Sequence, residues 1–451
     1  MQKNEIYEAQ ITGMTTEGAG VCRIDGMAVF VPMTAVGDCL RVRIVKVLKS
    51  YAFGIVEELL HPSQERVEPD CPVFRQCGGC VFRHVTYEAE LQYKEQFVRD
   101  AFARIGGLDP EFEPILGDES RCGYRNKAQY PVAEQDGHLV CGFYAKHSHR
   151  IIPCTRCKLQ PDRFGELLEF LLPVLERCGV TAYDEQKHAG ELRHIYIRQG
   201  YYSGEMLLCL VVRRSVKKKV AAALGEICSA FPEVVSISES VNPDRTNVIL
   251  GKQLSVLWGT ETIRDTMCGN AVSLSPHSFY QVNTPQAERL YGIGTAYADL
   301  HGAETLLDLY CGAGTIGLSM ASRIGKLIGV EVIPQAVENA RRNAAEAGIR
   351  NAEFRCGDAG MIAAQLAEEG IRPDVVILDP PRKGCDKAAI DAVVSMAPSR
   401  IVMISCNPAT AARDARAFSG YGYTPERVRA VDLFPGTAHV ECVVLMSRNE
   451  S

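Results

Sequence analysis

The 451-residue sequence lacks several features, and each absence excludes a class of protein. No apolar stretch approaches the roughly 20 residues that a membrane-spanning helix needs, which argues against an integral membrane protein. The opening MQKNEIYEAQ is polar and mixed in charge, unlike a secretion signal. Basic residues are not in excess, since the formal net charge is −6, although a local basic groove remains compatible with that value. We therefore expect a cytoplasmic protein with no membrane partner.

Composition indicates an ordinary globular protein that is unusual only in its cysteines. Hydrophobic residues make up 46% and charged residues 23%, and the length allows about two to four domains. Eighteen cysteines without an export signal are unlike a disulfide framework, because the cytosol keeps thiols reduced. Some of them should therefore bind metal or react, and the others should lie in the core.

The first 60 residues read as short strands separated by glycine turns. The expected strands are 6–12, 19–23, 27–31, 39–47 and 52–57. Close strands with no helix between them predict a small OB-like β-barrel. Its fourth strand carries Arg41, Arg43 and Lys46, with Lys49 just beyond. This basic strand is either a polar outer face or a face that follows the phosphates of a ligand.

The rest of the chain divides into an α+β region and a doubly wound region. Residues 61–72 read as a linker, and residues 86–106 have helical spacing that ends at a Gly-Gly pair. From residue 304 onward strands and helices alternate, which predicts a parallel α/β sheet. We expect domains at 1–60, 61–270 and 271–451, with helix 86–106 either in the central domain or packed on the last one.

A cysteine cluster predicts a metal centre in the central domain. Cys71, Cys77 and Cys80 lie in CPVFRQCGGC, and Cys154 and Cys157 lie in CTRC. A zinc site would use the two C-x-x-C pairs and leave Cys71 idle, whereas an iron–sulfur cluster would use four thiolates including Cys71. The long gap between the two groups disfavours a compact zinc ribbon. Spacing alone leaves the identity of the metal open.

A glycine-rich turn in the last domain predicts a nucleotide-type cofactor. In TLLDLYCGAGTIGLS, Gly312, Gly314 and Gly317 match G-x-G-x-x-G between a buried strand and a helix start. Glu331 ends the next strand about 20 residues later, where a ribose hydroxyl would be held. NAD and S-adenosylmethionine both fit this pattern.

Two further acids should face the same crevice. Asp358 ends the third strand, and Asp379 ends the fourth strand and opens DPPRKG. The two prolines after Asp379 make a rigid loop that continues neither strand nor helix. Loops of this kind hold a planar base beside a methyl donor in nucleic-acid methyltransferases, so NAD becomes the weaker alternative.

Cys406 is the candidate nucleophile. It follows an apolar run, residues 401–405, and precedes Asn407-Pro408, which puts its thiol at the carboxyl edge of a buried strand. Taken alone, a cysteine there is more often a small core side chain. Cys385 and Cys311 are weaker candidates, because the first lies past the DPPR loop and the second would crowd the cofactor.

Several motifs in order resemble those of the RNA uracil-C5 methyltransferases, in particular the bacterial 23S rRNA type. They are CPVFRQCGGC with CKLQ, GFYAKHSHRI, GELRHIYIR, SPHSFYQVN, LDLYCGAGTIGL, DPPRKG, SCNPAT and DLFPGTAHVE. The N-terminal barrel resembles a TRAM domain, an RNA-binding module. The resemblance implies a Rossmann-like class I S-adenosylmethionine methyltransferase domain behind a TRAM barrel and an α+β iron–sulfur domain.

The resemblance also implies roles for individual residues. A 4Fe–4S cluster would be held by Cys71, Cys77, Cys80 and Cys157, with Cys154 set aside. S-adenosylmethionine would contact Gln281, Tyr310, Glu331 and Asp379, and Thr315 and Asp358 occupy matching places where the family varies. RNA is the implied partner, with 23S rRNA favoured over tRNA and no obligate protein partner evident.

The chemistry of uracil agrees with these roles. C5 of uracil is a weak nucleophile until a thiolate adds at C6, and Cys406 is the matching thiol. A base must then remove the C5 proton, and Glu441 is the matching residue, with Asp432 and Asp414 less suited. Phe279 and Tyr280 are candidate platforms for an unstacked base. The alternatives from other classes are an iron–sulfur redox enzyme and a non-catalytic RNA-binding scaffold.

Overall fold

A computed structural model describes residues 1–449, which begin with a six-stranded sheet. Its strands are β1 (Ile6–Gln10), β2 (Gly13–Met14), β3 (Ala19–Ile24), β4 (Met27–Pro32), β5 (Cys39–Val47) and β6 (Tyr51–His61). They pair in the order β1-β5-β6-β4-β3-β2, and only β4 and β6 run parallel. The apolar side chains of Val29, Val31, Val42 and Ile44 form one core, because alternate residues of each strand face inward. The five expected strands are present, with β2 in addition.

Helix α1 (Tyr87–Ala101) connects the N-terminal sheet to the rest of the molecule. Thr86 caps it, since the Thr86 hydroxyl accepts from the Ala89 amide at 3.3 Å. A π-helical turn, Phe102–Gly106, follows and ends at Gly107, whose φ of 62° favours glycine. Phe102 is fully buried in the core of the C-terminal sheet, so this helix packs on the last part of the chain. Strand β7 (Glu111–Leu116) comes next.

The central region is a seven-stranded sheet with helices on one face. Its elements are β8 (Lys127–Gln135), β9 (His138–Tyr144), β10 (Ile151–Pro153), α2 (Asp162–Arg177), β11 (Leu192–Gln199), β12 (Met206–Val212), α3 (Lys217–Val220), α4 (Leu224–Ala230), β13 (Val234–Val241) and β14 (Gln253–Gly259). The strand order is β10-β9-β8-β11-β12-β13-β14, and only β12 and β13 are parallel. Helix α2 continues without a break through Pro173. Its apolar face packs on β8, β11 and β12.

A hairpin and a helix lead into the C-terminal sheet. The hairpin consists of β15 (Ile263–Met267) and β16 (Asn270–Leu274), and the helix is α5 (Thr284–Ala298). The expected boundary between residues 270 and 271 cuts this hairpin. Strand β7, which also precedes that boundary, pairs in parallel with a strand of the C-terminal sheet. The three expected domains therefore remain predictions. Strand pairing crosses the boundary expected between residues 270 and 271.

The C-terminal region is an eight-stranded sheet between helices. Its elements are β17 (Thr305–Leu309), α6 (Thr315–Met320), β18 (Lys326–Glu331), α7 (Pro334–Glu346), β19 (Ala352–Cys356), α8 (Ala359–Glu368), β20 (Val375–Leu378), α9 (Lys387–Met396), β21 (Arg400–Ser405), α10 (Pro408–Ser419), β22 (Tyr423–Val431) and β23 (Glu441–Arg448). The strand order is β19-β18-β17-β20-β21-β23-β22-β7, with β23 antiparallel to both neighbours. No helix within residues 1–449 has both the length and the apolar character needed to cross a membrane.

The strand order positions a crevice. Strand β17 lies between β18 and β20, so the chain moves outward in opposite directions from this point of the sheet. Ligands of open α/β sheets bind outside the carboxyl ends of the strands at such a switch point. The glycine loop, residues 310–317, follows β17, and the DPPR loop, residues 379–382, follows β20.

Candidate active site

Strand register brings Cys406 and Glu441 together. The terminal pair of β21 and β23 joins Ser405 to Cys442. Cys406 directly follows β21 and Glu441 is the first residue of β23, so the two lie one position beyond this pair. Opposed residues of an antiparallel pair have Cα atoms about 5 Å apart. Glu441 is only 5% exposed, whereas the Cys406 side chain is partly exposed. The expected thiol and the expected acid therefore meet at the sheet edge.

Burial and neighbouring charges alter the acidity of this pair. Burial and the charge of Asp379 raise the pKa of Glu441 to about 8, against a smaller opposing effect of Arg382. Burial alone raises the pKa of Asp379 to about 7. The pKa of the Cys406 thiol is also raised, by burial and then by Glu441, although Arg382 opposes the shift. Arg382 is therefore a cation close enough to the Cys406 thiol to lower its pKa against these two effects.

Asn407 fixes the DPPR loop beside Cys406. Its side-chain amide donates to the Arg382 carbonyl at 3.0 Å, and its side-chain oxygen accepts from the Ala409 amide at 3.1 Å. The Thr410 hydroxyl donates to the same Arg382 carbonyl at 3.4 Å. The one Asn407 side chain therefore both caps α10 and holds the DPPR loop. This second contact keeps Arg382 near the Cys406 thiol.

The glycine loop has the backbone that a cofactor needs. Gly312 and Gly314 have φ values of 56° and 80°, and Tyr310 adopts a φ of 67°, which is uncommon for a residue with a side chain. The Gly312 amide donates to Glu331 at 3.1 Å. Glu331 also accepts from the Ile333 amide at 2.9 Å, so both of its oxygens are oriented at the end of β18.

Two buried residues near this loop were not predicted from the sequence. Asp308 in β17 is fully buried, and it accepts from the Gly317 amide at 2.9 Å while its other oxygen has no partner among the described residues. Burial raises the pKa of Asp308 to about 8. Tyr291 of α5 is 2% exposed. An acid inside the apolar run LLDLY was the available signal for Asp308, whereas nothing in the pattern of α5 distinguishes Tyr291.

Tyr291 gathers three of the expected cofactor residues around it. Burial raises the pKa of its hydroxyl, and Asp379 raises it further, while Thr315 and Gln281 oppose the shift. Gln281, Thr315 and Asp379 therefore lie around one buried phenol. Asp358 is more peripheral, because it is exposed and caps α8 by accepting from the Met361 amide at 3.1 Å.

The competing nucleophiles and bases are occupied or buried. Cys385 and Cys311 are 7% and 4% exposed, and burial raises the pKa of both. Asp414 accepts from the Cys385 amide at 2.7 Å. Asp432 accepts from the Lys94 ammonium at 2.7 Å. Asp414 is thus engaged by a backbone amide and Asp432 by an ammonium group, so neither is free to act as the base.

The two candidate platforms differ. The Phe279 ring is 65% exposed beside Gln281, as a base-stacking platform requires. Tyr280 is 3% exposed, and its hydroxyl donates to Asp265 at 2.9 Å. The expectation for Tyr280 was therefore wrong, because alternation along the segment turns its ring into the core.

Five cysteine thiols line one cavity of about 90 Å³ in the central region. This cysteine cavity is lined by Cys71, Cys77, Cys80, Cys154 and Cys157. Thiolates are the ligands of iron–sulfur clusters, so the donor set fits such a group in kind. No group of three or more His, Cys, Asp or Glu side chains in residues 1–449 is gathered closely enough to hold a single metal ion.

The cysteine cavity adjoins the turn that leads to Glu441. The Val81 and Phe82 amides donate to the Gly436 carbonyl at 2.9 and 3.1 Å. A Cβ atom at Gly436 would lie 3.9 Å from the Cys80 sulfur, and Gly436 has a φ of 80°. The backbone of residues 432–436, here called the DLFPG turn, is therefore packed directly on the cysteine loop.

Comparisons with known families cover almost the whole chain. Residues 86–449 match the family model described as tRNA (uracil-5-)-methyltransferase, and residues 2–56 match that of the TRAM domain. A Bacillus cereus protein named an uncharacterized RNA methyltransferase is 43% identical over 451 residues, or 100% of this chain and 98% of the relative. A Clostridium tetani protein of the same name is 40% identical over 447 residues, or 99% and 97%.

A solved structure has the same architecture. It is the crystal structure of the Pyrococcus abyssi tRNA (uracil-54, C5)-methyltransferase in complex with S-adenosyl-L-homocysteine. The TM-score is 0.78 at 25% identity, and the match covers 98% of this chain and 100% of that one. The similarity includes the sheet whose edge holds the candidate site.

Proposed function

Because this chain belongs to the tRNA (uracil-5-)-methyltransferase family and carries a TRAM domain, we propose that it methylates C5 of a uridine in RNA through Cys406 and Glu441. The family uses S-adenosylmethionine and acts on RNA. Membership argues against the redox enzyme and the scaffold considered from the sequence. The adjacency of Cys406 and Glu441 beyond the Ser405–Cys442 pair is the observation that carries the proposed mechanism.

In the first step the Cys406 thiolate adds to C6 of the target uracil. The C6–S bond forms as the electrons of the C5=C6 double bond move toward O4, which makes C5 electron-rich. S-adenosylmethionine supplies an electrophilic methyl group when it is bound. Arg382 is the cation that favours the thiolate, because its effect on the pKa of Cys406 opposes those of burial and Glu441.

In the last step Glu441 takes the proton from C5. The C5–H electrons restore the C5=C6 double bond, the C6–S bond breaks, and the Cys406 thiolate is released. A carboxylate whose pKa is about 8 is a stronger base than an exposed glutamate, and general bases work best when their pKa is near the working pH. Burial thus suits Glu441 to this role.

We propose that the cofactor lies along the carboxyl edge of the sheet. Its contacts would be Gln281, Tyr310, Thr315, Glu331, Asp358 and Asp379. The two oriented oxygens of Glu331 suit hydrogen-bond acceptance from a ribose, and the cluster around Tyr291 supports roles for Gln281, Thr315 and Asp379. Asp358 has the weakest support, because its side chain already caps α8.

The proposed substrate is 23S rRNA, as the resemblance to the bacterial rRNA enzymes implies. A second candidate is tRNA, which the description of the matching family model and the Pyrococcus abyssi enzyme favour. Mass-spectrometric mapping of 5-methyluridine in cells lacking this protein distinguishes them. Loss of the modification from 23S rRNA alone is the expected result, and loss from tRNA alone would reverse the assignment.

We further propose that the cysteine cavity holds a 4Fe–4S cluster on Cys71, Cys77, Cys80 and Cys157. The test compares two variants of neighbouring thiols in one cavity. Cys157→Ala should lose bound iron and sulfide, whereas Cys154→Ala should retain both. Equal loss in the two variants together with bound zinc would instead support a site built from the two C-x-x-C pairs.

A cytoplasmic location suits this chemistry. The cytosol keeps thiols reduced, which the free thiol of Cys406 requires. None of the eighteen cysteines, all of which lie within residues 1–449, is in a disulfide.

A further inference from the structure

A cavity of about 430 Å³ lies in the central region, where β8 ends and β11 begins. Its other walls come from the β9–β10 hairpin and from residues 246–249. Two motifs noted in the sequence, GFYAKHSHRI and GELRHIYIR, meet there, since residues 144, 149–151, 193 and 194 line it. Cavities of this size hold one small molecule. We call it the central cavity.

A β-bulge turns two consecutive side chains of β11 toward the central cavity. Leu192 pairs with Val212 and His194 pairs with Val211, so Arg193 is an extra residue in its strand. Both Arg193 and His194 line the cavity, although successive residues of a regular strand point to opposite faces. Bulges re-aim side chains in this way and are over-represented beside functional sites.

Arg193 fixes one wall of the cavity. Its guanidinium donates to the carbonyls of Asn242, Asp244 and Thr246 at 2.8, 2.7 and 3.1 Å. It also lies 4.8 Å from the centroid of the Tyr183 ring. The loop that follows β13 is therefore held in place, and the cavity is preformed.

His194 has unused hydrogen-bonding capacity at the cavity wall. Its side chain is only 9% exposed, and its buried Nδ1 atom has no hydrogen-bond partner within residues 1–449. Burial, reinforced by Arg193, lowers the pKa of His194 to about 4, so the imidazole is neutral near pH 7. A neutral imidazole presents one N–H donor and one acceptor nitrogen. Because a buried polar atom without a partner is costly, this ring suits a ligand with polar edges.

A third wall carries two stacked rings and a cation. The centroids of the Tyr144 and His149 rings are 5.4 Å apart and the ring planes differ by 30°. Tyr144 is 40% exposed, and His149 Nδ1 lies 3.0 Å from a Glu185 carboxylate oxygen. Arg150 is exposed and belongs to none of the ion pairs found within residues 1–449. Flat rings are platforms for nucleobases, and a cation beside them suits a phosphate.

The central cavity is separate from the candidate active site but shares a strand with it. Pro131 of β8 pairs with His194, and four residues further along β11 the Arg198 guanidinium donates to the Ser275 carbonyl at 2.8 Å. Ser275 belongs to SPHSFYQVN, the motif that carries Gln281. Four residues of a strand span about 13 Å. A nucleic-acid strand that enters the crevice would therefore pass close to the cavity.

We propose that the central cavity binds one nucleobase, stacked against Tyr144 and hydrogen-bonded by His194, with Arg150 neutralising the phosphate of the same nucleotide. The nucleotide has two possible sources, an unstacked nucleotide of the RNA substrate or a free nucleotide. The link through β11 to the Gln281 segment favours the first source. That source rests on the proposed function, since its ligand is RNA.

Nucleotide binding tests the cavity without any reaction. The probes are AMP, GMP, CMP and UMP, titrated in saturation-transfer NMR. Tyr144→Leu should weaken the binding of the preferred nucleotide about tenfold, and Tyr144→Phe, which keeps the ring, should bind as the wild type does. The matched control is Tyr201→Leu, because Tyr201 is 53% exposed and its ring pairs with that of Tyr202 outside the cavity. This control should change neither binding nor, like the other variants, the melting temperature. Equal weakening by Tyr144→Leu and Tyr201→Leu would overturn the proposal.

A substitution at His194 tests the hydrogen bond. His194→Phe keeps a flat ring without nitrogen, so it should reduce the difference in affinity between the tightest and the weakest of the four nucleotides. An unchanged difference would contradict the role of His194 in recognition.

Methylation kinetics identify the source of the base. With the wild-type enzyme active, Tyr144→Leu should raise KM for full-length RNA about tenfold and leave kcat unchanged. Unchanged KM together with weakened nucleotide binding would assign the cavity to a free nucleotide. If Tyr144→Leu changes neither KM nor nucleotide binding, the proposal is overturned. Absence of methylation of any RNA by the wild-type protein would contradict the proposed function, whereas nucleotide binding still tests the central cavity directly.

Discussion

At the scale of single residues, the candidate site holds more carboxyl groups than cations. Glu441 and Asp308 are buried and Asp379 is half-buried, and loss of solvation raises the pKa of each carboxyl to between about 7 and about 8. Arg382 is the cation that opposes the shifts of both Glu441 and Cys406. A general base works best when its pKa lies near the working pH, and the raised pKa of Glu441 brings this carboxylate toward that condition.

Replacing Glu441 by glutamine should separate methyl transfer from product release. The amide cannot accept the C5 proton, so the methylated adduct on Cys406 should persist as an RNA–protein complex that survives denaturing electrophoresis. Turnover should fall by a factor of about 10² to 10⁴, the usual contribution of a general base.

The matched control for that variant is Glu426→Gln. Glu426 is an exposed acid of strand β22, on the same sheet, and its loss should leave turnover unchanged. Normal turnover by Glu441→Gln, measured with the same RNA, would transfer the role of base to another residue.

The stability of the ligand-free protein should fall as pH rises. Glu441 has a pKa of about 8 when folded, compared with 4.5 for a free glutamate. Above pH 4.5 the unfolded chain loses this proton while the folded protein retains it, so the contribution to stability is complete below that pH and is lost by pH 8. Urea titrations between pH 4.5 and pH 8 measure this effect. The free energy of unfolding of Glu441→Gln should fall less steeply with rising pH than that of the wild type. Parallel curves would show that burial does not perturb this carboxyl.

At the scale of elements, a buried ion network joins helix α1 to the DLFPG turn. Lys94 donates to Glu90 and to Asp432, both at 2.7 Å, and to the Phe434 carbonyl at 3.2 Å. All three charged side chains are fully buried. Glu90 also accepts from the Gly436 amide at 2.6 Å. The network therefore fixes the turn that precedes Glu441.

Removing the central cation should be costly. Lys94→Met removes the cation shared by two buried carboxylates, of which only Glu90 keeps another ion pair, with Arg121 at 3.0 Å. The substitution should lower the free energy of unfolding by about 3 to 5 kcal/mol. The control is Lys387→Met, because Lys387 is 80% exposed in its pair with Asp391, and exposed pairs contribute about 1 kcal/mol or less. Chemical denaturation compares the two, and a similar small loss for both would show that the network does not hold the turn.

The sequence predicted elements whose signals are local. The turn at Gly312 and Gly314, the strand before Cys406 and the helix after Thr86 were all expected and are all present. Strand β7 was not expected, because its partner β22 lies more than 300 residues away and its own six residues show no alternation. The burial of Tyr291 likewise depends on packing between distant segments, which no local pattern encodes.

At the scale of the whole molecule, the N-terminal sheet is anchored on α1 and its neighbouring loops. The Val36 amide donates to the Tyr93 hydroxyl at 3.1 Å. Arg66, within the expected linker, donates to the buried Asp38 at 2.8 Å. Arg66 therefore holds the expected linker, residues 61–72, against the sheet.

The same contacts join the cysteine cavity, α1 and the sheet edge. The cysteine loop packs on Gly436, the DLFPG turn is held by Lys94, and Glu441 follows at the start of β23. The parts assigned to RNA binding, the metal cluster and chemistry thus share one set of packed backbone segments.

The most direct test of the account is covalent trapping on RNA that carries 5-fluorouridine at the target position. Fluorine at C5 cannot leave as a proton does, so the C6–sulfur bond should persist after methyl transfer. With S-adenosylmethionine, the wild-type protein should form a stable RNA adduct that maps to Cys406, and Cys406→Ala should form none. Absence of the adduct, under conditions where the wild type methylates ordinary RNA, would contradict nucleophilic addition by Cys406.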